Sequence, residues 1–317
     1  AHSFFDNSNN YLFGLALFTA LGATIAEITS CRGTDNISIP IVCLLFMIGY
    51  FNHISESGQF FELTVSSSSI LLFIVILLLF AAYYYRSLSR SGFYGALIMG
   101  IIVTLIGSWR FLFPLAAFFI LSSLLSNIVK NASFYQTKGS ARDIVQVYAN
   151  GGIALLICIF DFIQPNAINF FLFLASISAA MSDTWATEIG KISQKRPISI
   201  VNFIPMDHGL SGGITRIGII GSLLGSSLFG FTIWCVIPMP SFIVYGIILC
   251  GFVGSVFDSF LGATIQAKYE TQTGEIIESS QEGAIFISGI SWVNNDMVNF
   301  INTAFAPTLM YYYLKLY

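Results

Sequence analysis

The 317 residues are 56% hydrophobic, 15% aromatic and only 9% charged, with a mean hydropathy of +0.80, whereas a soluble domain carries roughly 25% charged residues. A water-soluble core cannot absorb so much apolar surface, which excludes an ordinary soluble enzyme. The net charge of −3 leaves no basic excess to argue for nucleic acid.

About 17 to 25 apolar residues cross a bilayer as a helix. Taken in chain order, ten segments meet that criterion: 12–30, 37–53, 68–85, 92–109, 111–128, 143–163, 166–182, 214–237, 240–266 and 297–316. The expected fold is therefore all-α, a polytopic transmembrane bundle. The opening stretch, AHSFFDNSNN, lacks the order of a signal peptide and reads as a cut or tagged end. Cys31, Cys43, Cys158, Cys235 and Cys250 are scattered, without a CxxC pair, so they indicate neither a disulfide framework nor a zinc site.

Lys and Arg concentrate in cytoplasmic loops. Alternating ten spans from an outer N-terminus puts Arg32, Arg86, Arg90, Lys130, Lys138, Arg142, Lys191, Lys195, Arg196, Arg216 and Lys268 inside, and Arg110 and Lys315 outside. The same alternation places the long polar connections 130–142, 183–213 and 267–296 on the cytoplasmic face. The expected location is the cell's inner membrane, with the working loops in the cytoplasm. Residues 56–69 read as a linker, dividing the chain into a helix pair (1–55), a linker with the first span of the main body (56–88) and the main membrane domain (89–317).

Five segments carry polar chemistry. In KGSARDIVQVYANGG, Lys138 and Arg142 suit phosphate oxygens, Asp143 suits a helix N-terminus, and Gln146 and Asn150 share a face. The plainer reading is loop charge and a capped helix. In SDTWATEIG, Asp183 and Glu188 stand at the membrane boundary, where a carboxylate calls for pairing, water or metal. On one continuous helix they lie roughly 140° apart, so joint chelation requires a break or ligands from other helices. A capping Asp183 and a Glu188–Lys191 pair would need no metal at all.

The glycines of PMDHGLSGGITRIG precede a helix. There Ser211, Gly212, Gly213, Thr215 and Arg216 are candidates for a polyphosphate, although no Walker A pattern is present. A flexible turn is the competing reading. Along GFVGSVFDSFLGATIQ, Gly254, Ser255, Asp258, Ser259, Gly262 and Gln266 form one small-and-polar stripe; close helix packing alone is the plainer reading, but an acid as deep as Asp258 marks function by default. In WVNNDMVNF, Asn295 and Asn299 are candidates for substrate, while Asp296 either caps a helix or holds a divalent cation.

The strings QVYANGG, SDTWATEIG, GGITRIGIIGSLLG, GSVFDSFLGATIQ and NNDMVN resemble the motifs of an integral-membrane family. It contains plant and cyanobacterial phytyl-phosphate kinases and an animal transmembrane protein of unassigned activity. The resemblance runs from about residue 89 to the C-terminus. Upstream, ATIAEITSCRGTDNISIPIV, with Glu27, Asp35, Asn36 and Pro40, resembles the end of the CTP-dependent phytol and dolichol kinases. These likenesses imply phosphoryl transfer from CTP, or another nucleoside triphosphate, to an isoprenyl monophosphate, and a fused or partner polyprenol kinase.

The expected site follows from that implication. Asp183, Glu188, Asp258 and Asp296 would hold Mg²⁺, and Asp183, Glu188 and Asp258 would be catalytic. Lys138, Arg142, Gln146, Asn150, Ser211, Gly212, Gly213, Thr215 and Arg216 would bind phosphate and nucleotide, while Ser255, Ser259, Gln266, Asn295 and Asn299 would line the lipid substrate's seat. A homodimer is compatible with this picture. The rival functions are a transporter or flippase of an anionic lipid, and a cytidylyltransferase making a CDP-lipid.

Overall fold

The computed structural model describes residues 12, 14–20, 22–24, 26–27, 35–57, 60–130 and 141–317. Lys138 lies outside the described residues, as does most of the start of the chain. Among the described residues the helices are α1 (Asp35–Ser57), α2 (Phe60–Tyr84), α3 (Arg90–Lys130), α4 (Ile144–Ile163), α5 (Ala167–Gly190), α6 (Arg216–Val236), α7 (Ser241–Thr264) and α8 (Asn295–Leu314). Five of them, α3 to α7, are long and apolar enough to cross a membrane, and shorter apolar helices occupy Gly14–Thr24, Asn36–Phe51 and Ser69–Tyr84.

Helix α3 joins two of the expected segments. Its 41 residues would measure about 60 Å if straight, twice the roughly 30 Å of a hydrocarbon core. The run breaks at Ser108, where φ is 57° and ψ is −167°. Contacts on either side show that the chain doubles back there. Gly92 and Phe118 both meet Arg142, whereas Arg110, just past the break, lies 5.1 Å over the Phe170 ring at the bundle's other end.

Helix α5 is the axis of the bundle and packs against α3, α4, α6, α7 and α8. Its stretch Phe173–Ser182 is buried throughout, and the small residues of ASISAAMS let neighbouring backbones come close. Helix α6 answers with a glycine face. A Cβ on Gly221 would stand 2.8 Å from the Trp185 carbonyl oxygen, and one on Gly225 2.7 Å from the Trp185 Cβ. Ser182 Oγ donates to the Ser222 carbonyl at 2.8 Å across the same interface.

Three findings differ from the sequence reading. Residues 56–69 are largely helical, since α1 runs to Ser57 and α2 begins at Phe60. The final helix α8 is not among those apolar enough to stand as a span by itself. The polar connections also contain strands: β1 (Ile198–Ser199) pairs with β2 (Gly213–Ile214), while β3 (Lys268–Glu270) lies between β4 (Ile276–Ile277) and β5 (Ile285–Ser288), all antiparallel. Short strands escaped notice because the hydropathy that identifies spans is silent about two-residue pairings.

Candidate functional site

The elaborated connections gather at one end of the bundle. Arg142 is fixed there by two backbone bonds, its N–H donating to the Ser87 carbonyl and its carbonyl accepting from Ser89 N–H, both 3.0 Å. The next residue, Asp143, caps α4. Its Oδ1 accepts from Gln146 N–H at 3.0 Å, and Gln146 Oε1 accepts from Asp143 N–H at 3.2 Å, a reciprocal capping box. Asn150 Nδ2 donates to the Gln146 carbonyl at 2.9 Å. The expected cap and the expected Gln146–Asn150 face are both present.

The Arg142 guanidinium turns inward. It lies 5.7 Å over both the Phe118 and Phe119 rings, and its buried Nη1 has no hydrogen-bond partner. Burial lowers its pKa from the usual arginine value, while the Glu188 carboxylate pulls the other way. Glu188 itself is bonded to Lys191 Nζ at 2.9 Å. Because α5 is unbroken through Gly190, Asp183 and Glu188 face different directions, as the helical spacing required for a continuous helix.

Asp183 instead meets another helix. It acts electrostatically on Asp258 of α7, and the Asn302 side chain of α8 lies beside Asp258. Asp183 lies seven residues from the end of α5, Asp258 six from the end of α7 and Asn302 seven from the start of α8. At ~1.5 Å per residue, each sits about 10 Å below the polar end. Asp258 Oδ2 and Asn302 Oδ1 are buried acceptors without a hydrogen-bond partner, which is costly unless something supplies positive charge or a proton donor. Gly254 makes room, since a Cβ there would stand 2.7 Å from Asn302 Oδ1.

The expected metal set is therefore only partly assembled. Asp183 and Asp258 lie within electrostatic range of each other, Glu188 pairs with Lys191, and Asp143 acts electrostatically on Asp296. Among the described residues, no three His, Cys, Asp or Glu side chains converge to hold an ion. Oxygen donors from two carboxylates and one amide still suit Mg²⁺, which typically takes one or two protein carboxylates and completes its shell with water and substrate phosphate.

The glycine loop is engaged by the protein itself. Glu278, in the connection after β4, accepts from Ser211 N–H, from Ser211 Oγ at 2.8 Å and from Gln266 Nε2 at 2.9 Å. A carboxylate thus sits on donors expected to meet phosphate. Burial raises the Glu278 pKa, opposed by those hydrogen bonds and by Lys268. Thr215 Oγ1 accepts from Gly218 N–H at 3.0 Å as the cap of α6, Gly213 belongs to β2, and Arg216 is exposed at the helix start. Gly212, at φ +85°, backs directly onto Ala263 of α7.

The expected lipid-lining residues do not form one wall. Ser255 is buried, Ser259 Oγ bonds back to the Ser255 carbonyl at 3.4 Å, and Gln266 belongs to the Glu278 cluster. Asn295 is exposed and Asn299 half-buried on α8. An apolar cleft of about 110 Å³ lies elsewhere, between α2, both arms of α3 and α4, and Arg142, Gln146 and Asn150 are its polar lining residues. Sequence reasoning missed Asn302, although an asparagine within the apolar run FINTAF is a detectable signal. Glu278 gave none, because one acid in a polar loop resembles any other.

The family described as Integral membrane protein DUF92 matches residues 73–307. An uncharacterised membrane protein of Methanocaldococcus jannaschii is 31% identical over 193 residues, covering 58% of this chain and 76% of the relative. Protein PGR of Arabidopsis thaliana is 27% identical over 270 residues, covering 72% and 91%. An uncharacterised membrane protein of Synechocystis is 25% identical over 219 residues, covering 67% and 77%. No solved structure matches. With three quarters of its length spanned by the family match, the chain belongs to the integral membrane proteins of the DUF92 family.

Proposed function

We propose that this chain is a membrane phosphotransferase that converts an isoprenyl monophosphate to the diphosphate at the expense of CTP or another nucleoside triphosphate. The observation that carries the reading is the Asp183–Asp258 pair with Asn302, three oxygen-bearing side chains from three helices at one depth below the polar end. Ionisable groups at membrane depth mark functional sites by default. Phosphoryl transfer needs charge neutralisation and alignment more than covalent catalysis.

In the proposed reaction an oxygen of the lipid monophosphate forms a bond to the γ-phosphorus, the bond from that phosphorus to the β-bridging oxygen breaks, and the nucleoside diphosphate leaves. The acceptor is already an anion, so no strong base is required. Asp183, Asp258 and Asn302 would hold Mg²⁺, which neutralises phosphate charge when bound. Arg142 would orient the acceptor phosphate, and the glycine loop around Gly212 would receive the nucleotide once Glu278 yields Ser211. The topology we propose has ten spans, counting the two arms of α3 separately, with the polar end in the cytoplasm as the basic residues favour.

The test is to incubate the purified protein with Mg²⁺, γ-labelled CTP or ATP and isoprenyl monophosphates of several lengths. Label on the lipid diphosphate supports the reading. Pyrophosphate release with a CDP-lipid product would replace it with a cytidylyltransferase, and no turnover alongside lipid movement between leaflets would replace it with a flippase.

A further inference from the structure

The apolar cleft and the acidic site are different places, and the cleft has its own polar end. Val75 and Leu79 of α2, Met99 of the first arm of α3, and Leu115 and Phe118 of its second arm supply apolar walls, while Arg142, Gln146 and Asn150 supply the polar lining. Among the described residues, no acidic side chain lines it. Its cavity volume is about 110 Å³, short of the roughly 300–1,000 Å³ that encloses a whole small ligand, so it holds only part of one. The hairpin at Ser108 creates the cleft, because it splays the two arms of α3 around a gap that α2 and α4 close only in part.

Arg142 is the reason to regard this space as a ligand site and not as loose packing. Its Nη1 is buried without a hydrogen-bond partner, and the two rings beneath it, Phe118 and Phe119, both line the cleft. A permanently charged donor facing an apolar chamber recognises an amphiphile whose anionic head meets the guanidinium and whose tail fills the chamber. A nucleotide is a poor occupant, since it would bury its polar base and sugar against aliphatic walls.

We infer that this cleft is the seat of the lipid acceptor, taking a phosphate monoester by its head at Arg142 and by its apolar tail between α2 and the two arms of α3. The inference rests on the proposed function for the identity of the tail, a prenyl chain. It moves the lipid away from Ser255, Ser259, Asn295 and Asn299, and it assigns Arg142 to the acceptor in place of the nucleotide.

The experiment measures binding without nucleotide, so the transfer reaction can fail while this inference stands. The full chain in lipid nanodiscs is photolabelled with a diazirine-bearing farnesyl monophosphate, and the labelled peptides are mapped. Label is expected within residues 69–84 and 96–120, displaced by farnesyl monophosphate at concentrations at least about tenfold below those needed for farnesol, as befits a charge-assisted bond. Arg142→Gln should abolish that preference, and Ala116→Phe, which fills the cleft, should remove the label.

Label on other helices would overturn the inference, as would equal competition by farnesol in the native chain. Displacement by phosphatidic acid as effective as by farnesyl monophosphate would also overturn it, by making the cleft a bilayer-phospholipid site. Should either variant fail to fold, the peptide map and the alcohol-against-phosphate comparison on the native protein decide alone.

Discussion

Gly92→Ala tests how Arg142 is held. A Cβ on Gly92 would overlap the Arg142 carbonyl oxygen and stand 3.0 Å from its carbonyl carbon and 3.3 Å from that of Asp143. These are backbone atoms, so no side-chain rotation relieves the overlap, and the Arg142 segment must withdraw by roughly 1 Å to restore ordinary contact. Withdrawal strains the two 3.0 Å bonds that tie Arg142 to Ser87 and Ser89. Each is worth about 0.5–1.5 kcal/mol, and overpacking adds about 1–3 kcal/mol. The expected loss is therefore about 2–6 kcal/mol. Gly95→Ala, one turn along, is the control. Its Cβ would stand 2.7 Å from Ile144 Cγ1, a side-chain and not a backbone atom, and the expected loss is under about 1.5 kcal/mol. Denaturation in detergent compares the two variants, and turnover with an isoprenyl monophosphate reads the function, where displacement of a positioning group by about 1 Å typically lowers rate some 100-fold. Equal stability and equal turnover in the two variants would refute the reasoning.

Three further predictions follow from the same structure. Asp258→Asn and Asp183→Asn keep shape but remove charge, and each should abolish labelled-diphosphate formation while leaving the denaturation midpoint near the native one; retained transfer would remove that residue from the site. Asn302→Leu deletes the amide beside Asp258 at nearly constant volume, and a rate within about twofold of native, well short of the roughly tenfold that 1.4 kcal/mol represents, would dismiss it as a positioning residue. Glu278→Gln tests the buried carboxylate on the glycine loop. Because its folded pKa is raised above the usual 4.5, the folded state binds its proton more readily than the unfolded one. Its contribution is full below pH 4.5 and is lost as pH rises through the elevated folded value. Native stability should therefore fall relative to the Gln variant over that climb. Midpoints measured at steps from pH 4 to about pH 7 check the sign, and a native chain that gains on the variant would reverse it.

What the sequence disclosed divides along physical lines. Helical spans were legible because a long apolar run admits few alternatives in a bilayer, where every backbone polar group must be satisfied within the segment. The Asp143–Gln146 cap was legible because capping is local. Pairings between helices were not. Nothing in the order of residues says that Asp183 meets Asp258 instead of Glu188; the helical spacing only excludes the nearer partner while α5 remains continuous. The role of Glu278 depends on a loop returning 67 residues later to Ser211. Hydropathy could not foresee it, because a polar loop satisfies the same pattern whether or not it folds back.

The Arg142 region shows how far local reasoning extends and where it stops. As a basic residue before a capped helix, it fits the positive-inside tendency, and charge placement alone would have left it in water. The hairpin at Ser108 changes that by bringing Phe118 and Phe119 beneath the guanidinium, so a loop charge becomes the lining of an apolar chamber. Lysine would satisfy the topology equally well, but not the geometry. A planar guanidinium lies over aromatic faces and still directs several donors toward one anion, whereas an ammonium is a strongly hydrated point charge. Arg142→Lys should accordingly leave membrane insertion and orientation intact while weakening lipid-phosphate labelling at least about tenfold, the loss expected for a bidentate, partly stacked site. Labelling in the lysine variant equal to native would reduce Arg142 to a topological charge and leave the cleft without its anion-recognising head.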